Sequence, residues 1–182
     1  MKRIFFTATV AILASCNSNQ PVQTETAKPA IDSAVLSINS PYNVSYSSKF
    51  VIGSSKNAET ILTLWKDYDN GNLSAHKESF ADSIELYLAD GSKLHSSRDS
   101  IIAIIQKHRN MFSAVSDRVD AVTSLKSTDK NQDWVLVWGM ETDIDKKGKV
   151  DSVNLMETWR LNKDGKADLV YQFNQVAATP KK

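Results

Sequence analysis

Residues 133–175 read DWVLVWGMETDIDKKGKVDSVNLMETWRLNKDGKADLVYQFNQ, and their reading decides the fold. Three apolar runs, 134–140, 153–161 and 169–176, are separated by Lys147-Gly148 and Asp164-Gly165. Gly accepts positive φ and Asp tolerates it, so each break favours a tight hairpin. Trp, Val, Leu, Thr and Tyr suit a pleated, half-buried surface. The expectation is a three-stranded antiparallel meander.

Neither face of that meander is clearly polar. Trp134, Leu136, Trp138 and Met140 alternate with Val135, Val137 and Gly139; Leu169, Tyr171 and Phe173 alternate with Val170, Gln172 and Asn174. A sheet apolar on both faces needs a cover on both. Helices supply one. The other is a second sheet, the N-terminal segment or another subunit.

Upstream, Lys2 and Arg3 precede an apolar run, 4–13, too short to span a bilayer. It ends in Leu13-Ala14-Ser15-Cys16, which resembles the lipobox of bacterial lipoproteins. The resemblance implies a signal peptide over 1–15 and diacylation of Cys16, the mature first residue. Asn17, in place of Asp, implies the outer membrane. Cys16 is the only cysteine, so no intrachain disulfide forms. The 22 basic residues lose Lys2 and Arg3 with the signal, leaving 20 against 21 acidic. A near-neutral protein is a poor electrostatic match for nucleic acid.

Residues 16–43, rich in Ser, Thr, Asn, Gln and Pro, read as a flexible tether. Residues 44–178 then form one domain. A strand is expected within 44–52. A helix follows, capped by Ser54 or Ser55, with apolar residues at 61, 62, 64, 65 and 68, and stopped at Gly71. A short helix is expected over 75–80 and a strand over 83–88. Ser96-Ser97-Arg98-Asp99 offers a capping box ahead of a helix over 101–112, with Ile101, Ile104, Ile105, His108 and Phe112 on one face. Residues 115–125 alternate weakly and predict another strand.

This order, together with Phe80-Ala81-Asp82, Asp90-Gly91, Glu157-Thr158-Trp159-Arg160-Leu161 and Asp164-Gly165-Lys166, resembles the nuclear transport factor 2-like superfamily over about residues 56–176. SnoaL-like domains and ketosteroid isomerase belong to it. The resemblance implies an α+β fold in which a curved antiparallel sheet wraps N-terminal helices into a cone that encloses a pocket. It also implies a homodimer through the sheet's convex face. The ketosteroid isomerase general-base position falls on Leu88 and its helix-one tyrosine at or beside Leu64. Leucine moves no proton, so steroid-type isomerisation is not expected. The second oxyanion-hole acid falls on Glu157. Amphipathicity alone would turn Leu169, Tyr171 and Phe173 inward; the resemblance turns Val170, Gln172 and Asn174 inward instead, and we follow it.

The expected pocket therefore has apolar walls of Leu86, Leu88, Trp138 and Trp159, polar groups Glu157, Gln172 and Asn174, and His108 at its edge. His76, His95 and His108 show no metal-ligand spacing. The run 67–78 departs from a calcium loop, because Gly71 stands one place early. No cofactor motif is present. The chemistry points to a non-catalytic, lipid-anchored protein holding a small, largely apolar molecule. The alternatives are a SnoaL-like enzyme using Glu157 as acid or base, and an interaction module with a vestigial pocket.

Overall fold

The computed structural model describes residues 38–175. The expected signal, Cys16 and most of the tether lie outside them. A short strand β1 (Phe50–Ile52) leads through Gly53 into helix α1 (Ser55–Asp69). Ser54 caps it by accepting the amide of Lys56, and Gly71, at φ 67°, turns the chain out of it. Where a short helix was expected over 75–80 there is a single 3-10 turn (Lys77–Ser79), and Phe80 already belongs to strand β2 (Phe80–Tyr87). A strand absent from the sequence reading, β3 (Lys93–Ser97), pairs back on β2. Ser97 caps helix α2 (Arg98–Arg109), accepting the amide of Ser100.

Three long strands follow: β4 (Phe112–Ser127), β5 (Gln132–Asp145) and β6 (Val150–Leu161); β7 (Ala167–Asn174) completes the set. Phe112, expected on the helix, begins β4 because α2 ends at Asn110, whose amide donates to the Gln106 carbonyl while the next amide, of Met111, donates to His108. The seven strands form one sheet in the order β1-β4-β5-β6-β7-β2-β3. Five of its neighbour pairs are antiparallel. The β2–β7 pair is parallel, a departure from the all-antiparallel expectation that arises because β2 and β7 are joined through the body of the fold rather than by a hairpin.

Helix α1 packs against β4 and β5, and α2 against β2, β3 and β4. Both lie in the hollow of the sheet. Ile61, Leu64 and Trp65 of α1 meet Ile101 of α2, Phe80 and Ile84 of β2, Val135 and Val137 of β5, and Leu161 of β6 in one apolar core. This is the α+β cone.

One expectation fails in β5. Val135 and Val137 are fully buried, whereas Trp138 is 36% exposed and faces away from the core. The hairpin loop explains it. A two-residue Lys147-Gly148 loop would set Trp138 opposite Glu157. The loop has three residues, Lys146 to Gly148, so Val137 stands opposite Glu157 and Trp138 opposite Met156. Val137 is therefore interior.

Candidate functional site

The hollow between sheet and helices keeps a cavity of about 410 Å³. Leu64, Phe80, Leu86, Leu88, Leu155 and Val170 are among its apolar walls. Glu157 is 9% exposed and lies inside the cone. Its Oε2 accepts the indole N–H of Trp65 at 2.7 Å and of Trp159 at 2.9 Å, and its Oε1 accepts the Gln172 amide N–H at 3.1 Å. Burial raises its pKa, and the hydrogen bonds from Trp65, Gln172 and Trp159 oppose that shift. Three donors to one buried carboxyl fix both its position and its acceptor role.

Local backbone makes this possible. Trp65 reaches Glu157 across Gly139, where an added Cβ would come within 2.6 Å of the Arg118 carbonyl oxygen and 3.1 Å of the Trp65 ring. Gly is required there for close approach. Gln172 reaches Glu157 because β7 pairs with β6 in a register that sets these two residues directly opposite.

Of the residues expected at the pocket, Glu157, Gln172, Asn174, Trp159, Leu86, Leu88 and His108 line the cavity; Trp138 does not. His108 stands beside Tyr68, whose hydroxyl is 3.0 Å from His108 Nδ1. Burial, reinforced by Glu141 and Asp143, raises the Tyr68 pKa and keeps that hydroxyl protonated.

The sequence reading missed Trp65 and Tyr68 as polar participants, and missed a second acidic group altogether. Asp117 of β4 and Glu141 of β5 pair directly across the sheet and both line the cavity. Burial pushes Asp117 up to about 8, with the Asp69 charge adding to it. Burial likewise pushes Glu141 to about 8, with Asp143 adding to it. The signal was present in the parity of β5. Once Val137 is inward, Gly139, Glu141 and Asp143 follow on the same face. Arg109 is nearby and buried, but it donates to the carbonyl oxygens of Tyr68, Asp69 and Phe112, tying the end of α1 to the start of β4. Among the described residues no group of three or more potential ligands is arranged to hold a metal ion.

No family model matches the sequence, and no curated protein matches it. Solved structures do match the fold. An NTF2-like protein of unknown function from Exiguobacterium sp. 255-15 is 14% identical, covers 65% of this chain and 99% of its own, and superposes with a TM-score of 0.54. A putative SnoaL-like polyketide cyclase from Jannaschia sp. CCS1 is 16% identical, covering 66% of this chain and 86% of its own, TM-score 0.53. An LEH-like epoxide hydrolase of M. tuberculosis is 7% identical, covering 67% and 84%, TM-score 0.56. The cone is thus the nuclear transport factor 2-like fold, a scaffold shared by proteins described as cyclases and epoxide hydrolases. At these identities the likeness is one of fold, and function has to be argued from the site.

Proposed function

We propose that this chain is a lipid-anchored cell-envelope protein whose cone holds a small, largely apolar molecule without transforming it. The observation that carries the reading is the cavity of about 410 Å³ with its immobilised carboxyl, Glu157. Apolar walls with a few fixed polar groups are what a small-molecule site requires. The enzyme reading, with Glu157 as acid or base, is less well supported. Its carboxyl is already engaged by Trp65, Trp159 and Gln172, and the family's general-base position is Leu88. Native mass spectrometry of gently purified protein tests the proposal: a small molecule should accompany the chain and leave on denaturation. Protein that is empty as purified and binds no apolar probe would sink it.

Anchoring rests on Leu13-Ala14-Ser15-Cys16, with Asn17 favouring the outer membrane. Cys16→Ser should move the protein from the membrane to the soluble fraction, since acyl chains hold it there. Identical fractionation of the two would refute acylation. Homodimerisation is proposed through the convex face, where Trp138, Met156 and Phe173 stand side by side on β5, β6 and β7. Phe173 is 57% exposed there, and Tyr171 stacks on Tyr87 at 4.6 Å beside it. Among the described residues, Tyr46 covers the far end, edge-on to Trp134. Trp138→Ser with Phe173→Ser should yield monomers in sedimentation; a monomeric wild type would refute the dimer.

A further inference from the structure

We propose that the molecule held in the cone carries a positively charged amine, which sits between Asp117 and Glu141. This deepens the pocket reading above and rests on it. Three features of the structure lead to it.

The first is the chemistry of the lining. Asp117, Glu141 and Glu157 all face the cavity, and among the described residues that line it there is no Lys or Arg. Glu157 is supplied with three donors from Trp65, Trp159 and Gln172. Asp117 and Glu141 have no comparable supply. Asp117 Oδ1 accepts no hydrogen bond, and the polar side chains beside the pair are further carboxyls, Asp69 next to Asp117 and Asp143 next to Glu141. Buried acceptors without donors are costly, and a ligand donor that reaches the pair from the cavity relieves that.

The second is the position of the local cations. Arg109 spends its guanidinium on three backbone carbonyls, and Lys66 pairs with Asp69 Oδ2 at 3.0 Å on the outer side of α1. Asp69 turns its other oxygen to the backbone amide of Asp117 at 3.0 Å. His108 meets the hydroxyl of Tyr68. Around the pair, then, Tyr68 and Asp69 come from α1, His108 and Arg109 from α2, Asp143 from β5 and Glu157 from β6. No cation among them closes on Asp117 or Glu141.

The third is how the empty site deals with this. Burial, with the Asp69 charge beside Asp117 and the Asp143 charge beside Glu141, lets the two keep protons to about pH 8. A bound ammonium replaces those protons as the compensating positive charge. Binding therefore releases protons, and its affinity rises with pH while the amine stays charged. The apolar walls then hold the rest of the molecule.

The experiment uses three probes of one shape: 4-phenylbutylamine, 4-phenylbutanol and 4-phenylbutyrate. Titration calorimetry on the full chain at pH 7.5, in two buffers of different ionisation enthalpy, gives affinity and protons released. The amine should bind at least tenfold more tightly than the alcohol and release about one proton, and the carboxylate should bind most weakly. Between pH 6.5 and 8 the amine's affinity should climb several-fold while the alcohol's stays level. The double variant Asp117→Asn, Glu141→Gln should bring amine and alcohol to parity, its retained alcohol binding showing that it is folded. Alcohol binding as tight as amine in the wild type, or an amine preference that survives in the double variant, overturns the amine proposal and leaves the pocket reading standing. Failure of all three probes to bind overturns the pocket reading, and this proposal with it.

Discussion

The β5–β6 and β6–β7 hairpins close with the same turn and have opposite consequences for the strands they join. In the first, the Asp145 amide donates to the Lys149 carbonyl, Gly148 sits at φ 83°, and Asp145 Oδ1 accepts the amides of Lys147 and Lys149. In the second, the Asn162 amide donates to Lys166, Gly165 sits at φ 73°, and Asn162 Oδ1 accepts the amides of Asp164 and Lys166. These are three-residue loops with Gly in the left-handed position. Beyond the first, pairing runs without interruption from Ile144–Val150 to Asp133–Leu161. Beyond the second, Leu161 faces Ala167 and then Arg160 faces Leu169, so Asp168 is an extra residue. That bulge reverses the parity of β7. Because of it Gln172, not Tyr171, stands opposite Glu157. A turn therefore sets the register only as far as the first bulge: the Gln172–Glu157 contact depends on the one in β7, and the Asp117–Glu141 pairing on a shift between Val119 and Ala121 in β4.

The severest way to break this comparison is to insert one alanine between Leu169 and Val170, beyond the bulge. Val170 and Gln172 would turn outward and Tyr171 and Phe173 inward, leaving Glu157 without its amide donor. A loss of more than about 4 kcal/mol in chemical denaturation is expected, since every β7 side chain beyond Leu169 changes face. Deleting Asp168 instead makes the second hairpin like the first and keeps Gln172 opposite Glu157, because the extra residue leaves with the bulge. It should cost much less. An insertion no more costly than the deletion would show that the bulge does not set the register.

Gly139 offers a smaller test, in the hairpin whose pairing is uninterrupted. Gly139→Ala places a methyl group against the Arg118 carbonyl and the Trp65 ring. Overpacking of this kind costs about 1–3 kcal/mol. Trp65 should swing from Glu157, shifting its indole N–H resonance while that of Trp159 stays put. An undisturbed Trp65 signal would mean that the strand, not the ring, yields.

The acidic pair gives a pH signature. Asp117 and Glu141 hold protons more tightly folded, at about 8, than unfolded, at an ordinary carboxyl value near 4. Folding takes up protons, so this contribution is fully present below about pH 4 and is lost as pH rises towards 8. Asp117→Asn with Glu141→Gln should flatten the fall of Tm between pH 5 and 8.5 and leave the double variant the more stable at pH 8.5. A wild-type Tm that rises over that range would contradict the burial of the pair.

How much of this was legible in the sequence follows from the same two hairpins. Asp164-Gly165 and Lys147-Gly148 marked the turns, and the alternating apolar runs marked the strands. Loop length was not marked. Lys147-Gly148 reads as a two-residue loop or as the end of a three-residue one, and the choice decides whether Trp138 or Val137 is inside. Large aromatic residues drew the reading inward at Trp138, although a convex sheet face takes them as readily when another surface covers it. Glu157 and Gln172 were placed by family resemblance, because nothing in Lys166-Ala167-Asp168-Leu169 distinguishes a bulge from a regular strand. Asp117, Glu141 and Tyr68 were hidden for a different reason. Acidic residues on strands ordinarily face water, and only the pairing of β4 with β5 brings these two under α1.

The smallest effect concerns what holds the bulge in place. Arg160 Nε donates to Asp168 Oδ1 at 2.8 Å, so the extra residue is tied to the strand it faces. The two side chains are 30% and 22% exposed, which leaves the pair partly screened by water. A pair of this kind contributes up to about 1 kcal/mol. The register itself is better secured by burial: Leu169 and Val170 are 4% and 5% exposed, and Ala167 is sealed completely. Sliding β7 by one residue would turn Gln172 away from Glu157 and Tyr171 towards it, a far larger loss than one ion pair. Arg160→Met, which keeps the aliphatic stem, should therefore cost less than about 1 kcal/mol. It should leave the Gln172–Glu157 contact and the hydrogen-bonded Trp65 and Trp159 indole resonances where they are. If Arg160→Met instead reproduces the loss expected of the insertion after Leu169, the ion pair rather than the buried face of β7 determines which residue meets Glu157.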